Sequence, residues 1–240
     1  MLHMPAADID LSIVIPVFNE HENIDLIVKE LKDTIAGWKF RTEVVMVNDG
    51  SSDNSWELMQ KAAAKEPFIR IVNHDRNRGF GAALKTGYSN ARGRVVATMD
   101  ADLTQDPRQI ASFMEAMDKG ADIVIGSRYV SGGRMVDVAA HRRFVSAMGR
   151  LFVKLLFNLP VKDATNGFRA VRRQVVQSIP LQSDSFNILP EMVVKAARRG
   201  YKITEVPMIL TKRKFGTSKM NPMKDYFLEI STLLKLKGGT

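Results

Sequence analysis

Five short apolar runs, each closed by a polar loop and followed by a helical pattern, constrain this chain more than any other feature. They are Leu11 to Val17, Glu43 to Val47, Phe68 to Val72, Val95 to Met99 and Asp122 to Ile125. Runs this short, bounded by turn residues, read as buried strands. The intervals between them carry helical spacing. Glu20 to Ile35 places Ile24, Ile27, Val28, Leu31 and Ile35 on one face, with Asn19 positioned to cap it. Ser55 to Ala64 follows, then a helix opened by the loop from Asn77 to Gly81 and running to Ala91, then Arg108 to Met117. Strand–helix alternation predicts a Rossmann-like α/β fold, a mostly parallel sheet with flanking helices and right-handed crossovers. All the strand-end loops then lie at one edge of the sheet, where ligands bind in such folds.

The fourth run ends in Asp100-Ala101-Asp102. If extended geometry persists, alternation points both carboxylates to the same side. Two hard oxygen donors suit a divalent metal shared with a substrate phosphate. A turn explains the same residues, because Asp favours loops and Asp106-Pro107 can start the next helix.

Composition narrows the chemistry. The 240 residues include no cysteine, which excludes thiol catalysis and disulfides. His3, His21, His74 and His141 lack metal-ligand spacing, which argues against a zinc site or a Ser-His-Asp triad. The net charge of +9 implies an anionic partner. The N-terminal residues lack the basic and apolar regions of a signal peptide, and no apolar run reaches transmembrane length. The expected location is cytoplasmic, with peripheral association to the cytosolic face of a membrane.

The membrane expectation rests on two helical patterns. One opens at His141-Arg142-Arg143-Phe144 and runs to Asn158; the other, 221–237, carries Met223, Tyr226, Phe227, Ile230, Leu233 and Leu234 on one face and ends in Lys235 and Lys237. Apolar helices edged with cations can lie in a bilayer interface, and they also occur as packed helices with basic ends.

The loops Pro16 to Glu20, Asn48 to Asp53, Asn77 to Gly81 and Asp100 to Gln105 resemble, in order and spacing, the nucleotide-sugar loops of inverting family 2 glycosyltransferases with the GT-A fold. Gly126-Ser127-Arg128-Tyr129, Arg142-Arg143-Phe144-Val145-Ser146, Asp163 to Arg169, Glu205-Val206-Pro207 and Arg213 to Lys219 look like the dolichol-phosphate mannose synthase group. The resemblance covers nearly the whole chain. It implies one GT-A domain over 1–240: a nucleotide-sugar half at about 9–126, an acceptor half at about 127–220 and the C-terminal amphipathic helix. Two positions depart from the pattern. Asn48 stands where many relatives have Asp, and Thr104 stands where several place a metal-ligand Gln, which leaves Gln105 as the substitute.

The implied reaction moves a hexose, with GDP-mannose the favoured donor, to a polyprenyl or dolichyl phosphate with inversion. Mg²⁺ or Mn²⁺ on Asp100, Asp102 and Gln105 would offset charge on the departing diphosphate. Pro16, Phe18, Glu20, Asp49, Gly79, Asp100, Ala101 and Asp102 are the expected donor residues, with Asp49 accepting a base N–H. Local capping is the plain alternative for Asp49, and a tight turn for Gly79 and Gly81. The acceptor phosphate is already a nucleophile, so it needs alignment and charge cover rather than a strong base. Arg128, Arg142, Arg143, Arg213 and Lys219 are the candidates, with Asp102, Arg128 and Arg213 named as catalytic. Glu191 reads either as a donor-sugar contact or as a helix N-terminal acid. A UDP-sugar donor, a non-lipid acceptor and a membrane partner subunit stay open. A nucleic-acid module would explain the charge, but no such motif is present.

Overall fold

The computed structural model describes residues 9–137, 147, 148, 151, 157 and 159–216. The chain alternates as expected: β1 (Leu11–Val17), α1 (His21–Ala36), β2 (Thr42–Asn48), α2 (Ser55–Lys65), β3 (Ile69–Asn73), α3 (Phe80–Asn90), β4 (Val95–Thr98), α4 (Ile110–Asp118) and β5 (Ile123–Ser127). Then follow β6 (Arg134–Met135), β7 (Arg169–Arg172), α5 (Arg173–Ser178), α6 (Ile188–Arg198), β8 (Ile203–Pro207) and β9 (Ile209–Leu210). The main sheet has seven strands in the order β3-β2-β1-β4-β7-β5-β8, and β6 and β9 form a separate parallel pair.

Both faces of β1 are buried, and its period of two divides the core. Leu11, Ile13, Ile15 and Val17 pack with Ile24, Ile27 and Leu31 of α1, Met59 of α2 and Phe113 of α4. Val14 packs on the other side with Leu84 and Tyr88 of α3 and with Met192 and Val193 of α6. This is why the strands read as continuous apolar runs rather than alternating ones. Helix α3 lies so close to β1 that a Cβ at Gly87 would stand 2.2 Å from Val14 Cγ1.

One strand departs from the sequence reading. β7 enters between β4 and β5 and runs antiparallel to both. The segment assigned to the acceptor half thus completes the same sheet, and β8 extends it beside β5 in parallel.

The crossover from β3 to β4 reverses the strand order around β1, which creates a switch point between β1 and β4. Their ladder stops at Val14↔Thr98, while β1 and β2 stay paired to Val17↔Asn48. Met99 N–H donates to Val14 O, so Val14, and Pro16 two residues on, face β4. Proline lacks an N–H, and here that loss falls beyond the end of the β4 ladder. Among the described residues, no helix is long and apolar enough to cross a membrane. The two amphipathic segments expected near 141–158 and at 221–237 fall largely or wholly outside the described residues.

Candidate active site

The β1 and β2 loops hold each other in place. Asn19 adopts φ 54°. Its N–H donates to Ser51 Oγ at 3.0 Å, and its Oδ1 accepts from Ser52 N–H at 2.8 Å. Asn19 therefore ties two loops together and does not cap α1, whose N-cap position is Glu20. Glu20 N–H donates to Ser55 Oγ at 2.9 Å, which fixes the start of α1 against the start of α2. Pro16 and Phe18 are half-buried along this edge, and Ala101 is a buried residue of the loop after β4.

Asp49 occupies a different role from the one expected. Its carboxylate accepts from Arg78 N–H at 2.9 Å and Gly79 N–H at 2.9 Å, and it lies 2.7 Å from His74 Nδ1. Three partners from the protein engage a buried carboxylate, so it is spent on the loop before α3 rather than facing outward to a base. The capping reading was nearer, but the loop capped is 78–79 and not its own. Gly79 is required there: its φ is 99°, and an added Cβ would stand 2.3 Å from Asp184 O. Gly81 N–H donates to that same carbonyl at 2.8 Å, so the 183–185 loop covers the start of α3. Asn48, the departure from the family pattern, links β2 to β3 through Asn73 Oδ1 at 2.6 Å.

The β4 loop presents the acid pair. Extended geometry ends at Thr98, and Leu103 turns the chain with φ 58°. Simple alternation thus does not place the two carboxylates; the turn does. Gln105 braces Asp100 twice, accepting its N–H at 2.9 Å and donating to Oδ2 at 2.7 Å. Thr104 braces Asp102 through its N–H at 3.1 Å and its hydroxyl at 2.7 Å, both on Oδ1. The Gln105 amide, expected to be a metal ligand, is turned onto Asp100 in this structure. Burial pushes the Asp100 carboxyl up to about 7, the Asp102 charge pushes the same way, and Arg213 and Gln105 pull against both.

Arg213 crosses the crevice between the two loops. Nη1 donates to Glu20 Oε1 at 2.9 Å, and Nη2 stands 2.9 Å from Asp102 Oδ2. Glu20, which also accepts from Asn23 Nδ2 at 2.6 Å, has its carboxyl raised by burial, with Asp102 adding and Arg213 opposing. Residues from the first, fourth and last described loops therefore meet at the switch point.

Arg128 lies deeper and is already paired. Its Nε and Nη2 donate to the two oxygens of Asp163 at 2.8 and 2.7 Å, and its N–H donates to Oδ2 at 3.0 Å. Burial works against the guanidinium charge, but Asp163 more than offsets it and holds Arg128 above its ordinary value. Glu205 of β8 in turn accepts from Asp163 N–H at 2.9 Å and Lys162 N–H at 2.8 Å. Arg128 is thus not an open anion receptor on all sides; its fork is committed to Asp163.

Two residues gain roles that sequence reasoning did not foresee. Arg169 is fully buried and donates to the carbonyls of Asn166, Leu189 and Ala164. Burial lowers its pKa to about 10. It binds the 163–168 loop to α6, and an arginine inside Phe168-Arg169-Ala170-Val171 was the available signal. Asp163 is the other, hidden because its partner is 35 residues away. Glu191, near the start of α6, accepts from the N–H groups of Gln182 and Ser183 at 2.8 and 2.9 Å and pairs with Lys195 at 2.6 Å. It holds the loop that covers α3. Arg142, Arg143 and Lys219, expected at the acceptor phosphate, lie outside the described residues.

The acid pair fits a hard divalent cation. Two carboxylates of like charge sit just past the end of a sheet strand and repel each other, and a cation would relieve that repulsion. Among the described residues, no cluster of three His, Cys, Asp or Glu surrounds one point. Further ligands would come from substrate oxygens and water, as is usual for Mg²⁺.

Known proteins share this chain's sequence and fold. The Glycosyl transferase family 2 model matches residues 12–179. Dolichol-phosphate mannosyltransferase of Pyrococcus furiosus is 32% identical over 234 residues, which is 95% of this chain and 64% of that protein. Undecaprenyl-phosphate mannosyltransferase of Micrococcus luteus is 32% identical over 214 residues, covering 87% of this chain and 86% of that one. The chain therefore spans about two thirds of the length of the Pyrococcus relative and most of the Micrococcus one. The fold is that of glucosyl-3-phosphoglycerate synthase from Mycobacterium tuberculosis, solved with Mn²⁺, uridine diphosphate and phosphoglyceric acid. Its TM-score is 0.76 at 18% identity, over 100% of this chain and 86% of that one.

Proposed function

The chain belongs to glycosyltransferase family 2, and on that premise we propose that it transfers a hexose from a nucleotide sugar to a polyprenyl or dolichyl monophosphate with inversion. The observation that carries this reading is the meeting of Glu20, Asp100, Asp102 and Arg213 at the switch point. Mannose is the favoured sugar, because relatives covered over most of the chain are named as mannosyltransferases of lipid phosphates, and GDP is the nucleotide that the sequence resemblance implies.

Asp102 and Asp100 would hold Mg²⁺ or Mn²⁺, which offsets the charge that builds on the departing diphosphate. Gln105 and Thr104 keep the two carboxylates oriented for that task. Asp49 acts on the donor indirectly, by holding the 78–79 loop and the start of α3. Pro16 and Phe18, at the end of β1, and Ala101, in the loop after β4, are the further donor contacts of this reading.

A lipid monophosphate carries roughly −1.5 to −2 charge near neutrality, by analogy with phosphate esters. It attacks the anomeric carbon directly, so no residue has to remove a proton. Arg213 supplies a guanidinium for its non-attacking oxygens, and Arg142, Arg143 and Lys219 add positive charge around it, while Arg128 would share its fork with Asp163. One displacement converts an α-linked donor into a β-linked lipid phosphosugar. A polyprenyl acceptor tail would bring the reaction to a membrane surface; we propose the cytosolic face, with the sequence patterns at 141–158 and 221–237 as the contact.

A donor screen tests the proposal. The protein is supplied with GDP-mannose or UDP-glucose, a short polyprenyl phosphate and Mn²⁺ or Mg²⁺, and the lipid fraction is analysed by mass. A hexosyl-phosphoryl lipid is expected. Release of sugar to water alone, or transfer only to a soluble glycan, overturns the lipid acceptor.

A further inference from the structure

His74, the residue after β3, is a buried imidazole that the transfer chemistry does not use; it is 5% exposed. Its backbone N–H donates to Asn48 O at 2.9 Å, which seats it against the end of β2. Its ring has a partner on each side. Nδ1 lies 2.7 Å from Asp49 Oδ1, and Nε2 lies 2.9 Å from the Thr86 hydroxyl of α3. A carboxylate offers only acceptor oxygens, so Nδ1 carries the proton and donates to Asp49. Nε2 of the neutral ring then accepts from Thr86, and this second bond fixes the plane of the ring.

The consequence falls on the loop that Asp49 holds. Asp49 Oδ1 is shared between His74 and Arg78 N–H, and Oδ2 takes Gly79 N–H. The donors at 78 and 79 move with the loop, whereas His74 stands at the end of β3 and ties the carboxylate to the sheet and to α3. The β2 and β3 loops also touch directly, since a Cβ at Gly50 would stand 2.1 Å from the Arg76 carbonyl carbon. The held loop leads into Phe80, the first residue of α3. Phe80 and Asp100 both border Gly167: an added Cβ there would lie 3.8 Å from Phe80 Cζ and 3.7 Å from Asp100 Oδ1. A rotation of the Asp49 carboxylate would therefore shift the 78–80 segment beside the acid pair, and the His74 bond opposes that rotation.

We propose that His74 is a positioning residue for the donor: it orients Asp49, and through Asp49 the 78–80 segment, against which the nucleotide part of the sugar donor binds. This rests on the nucleotide-sugar reading above.

Calorimetric binding of GDP and of UDP with Mg²⁺ to the full chain tests the proposal apart from turnover. His74→Asn and His74→Gln divide the two ring contacts, because the Asn amide nitrogen takes the place of Nδ1 and the Gln amide nitrogen that of Nε2. A hydrogen bond to a charged group is strong enough that its loss in His74→Gln should weaken nucleotide binding about tenfold. The donor KM should rise by the same factor while kcat changes less than about threefold. His74→Asn keeps the bond to Asp49 and should bind within about threefold of the unaltered protein. Ser12→Ala is the stability control. Ser12 is buried at the far end of β1 and donates to Glu43 Oε1 at 2.7 Å, so its loss should lower the melting midpoint and leave nucleotide binding within about twofold. Thr86→Val removes only the hydroxyl and stands in if His74→Gln fails to fold; about threefold weaker binding is expected. Unchanged binding in His74→Gln, or in Thr86→Val where it stands in, overturns the positioning role and leaves the nucleotide reading intact. Equal weakening by His74→Asn and His74→Gln, or by Ser12→Ala, overturns it as well, because general stability then accounts for the loss. Failure of the unaltered protein to bind either nucleotide sinks the nucleotide-sugar reading, and the proposal with it.

Discussion

The pairing of Arg128 with Asp163 gives the sharpest stability prediction. The carboxylate is fully buried and the guanidinium side chain is 13% exposed. Asp163 accepts three hydrogen bonds from Arg128, two from the fork and one from the backbone N–H. Asp163→Ala would leave a buried cation and a buried amide without their acceptor. Breaking a buried pair from one side costs about 3–5 kcal/mol, mostly because the surviving charge is uncompensated. In a chain of this size about 1 kcal/mol moves the melting midpoint by 2–4 °C, so a loss of roughly 10 °C is expected. Asp163→Asn keeps one acceptor oxygen and should lose about half as much. Lys32→Ala, which removes a pair whose lysine is 59% exposed, is the comparison and should cost less than about 1 kcal/mol. Thermal melting and urea titration of the three variants measure this. Equal shifts for Asp163→Ala and Lys32→Ala would refute the claim that the Arg128 pair is a buried, stabilising unit.

Three more outcomes are expected. The Asp100 carboxyl is held up to about 7, above its unfolded value of 3.8, so the folded protein binds the extra proton. Without metal, stability from this group is therefore present below about pH 4 and lost as pH rises through 7; Asp100→Asn should flatten that slope, measured by urea midpoints across this range, and an unchanged slope would contradict the raised carboxyl. Gly79→Ala should destabilise by about 1–3 kcal/mol, because it needs a positive φ and its Cβ meets Asp184 O; urea midpoints check it, and an unchanged midpoint contradicts the close packing of that loop. Charge reversal at Lys235 and Lys237 should weaken sedimentation with anionic liposomes, with the difference shrinking as salt rises, and unchanged binding would remove the C-terminal segment from the membrane contact.

Period and punctuation made much of this fold readable. Leu11 to Val17 and the other runs announced strands, and the helical spacing between them announced a parallel sheet. β7 was not readable, because Arg169–Arg172 is short and begins and ends in arginine, and its antiparallel partners lie far away in the chain. At the site, Asp100 and Asp102 stood out because a strand delivers them to the sheet edge. What supports them did not. Gln105 was a ligand candidate only through the family resemblance, which expects a glutamine one residue earlier, at Thr104; here its amide oxygen accepts the Asp100 N–H. Asp49 looked like a base contact because it ends a strand, yet its acceptors are used by a loop about thirty residues on. A residue type indicates what a side chain can bind; which partner it takes depends on contacts that distant segments make.

The central claim is that the crevice holding Asp100 and Asp102 is the cation-dependent transfer centre. Its most direct measurement is the initial rate of hexose transfer to polyprenyl phosphate at saturating Mn²⁺, for the unaltered protein and for Asp102→Asn of confirmed fold. Loss of a cation that stabilises the leaving diphosphate should lower the rate by about 100-fold or more, equivalent to about 3 kcal/mol or more. A rate within a few-fold of the unaltered protein would place the chemistry elsewhere.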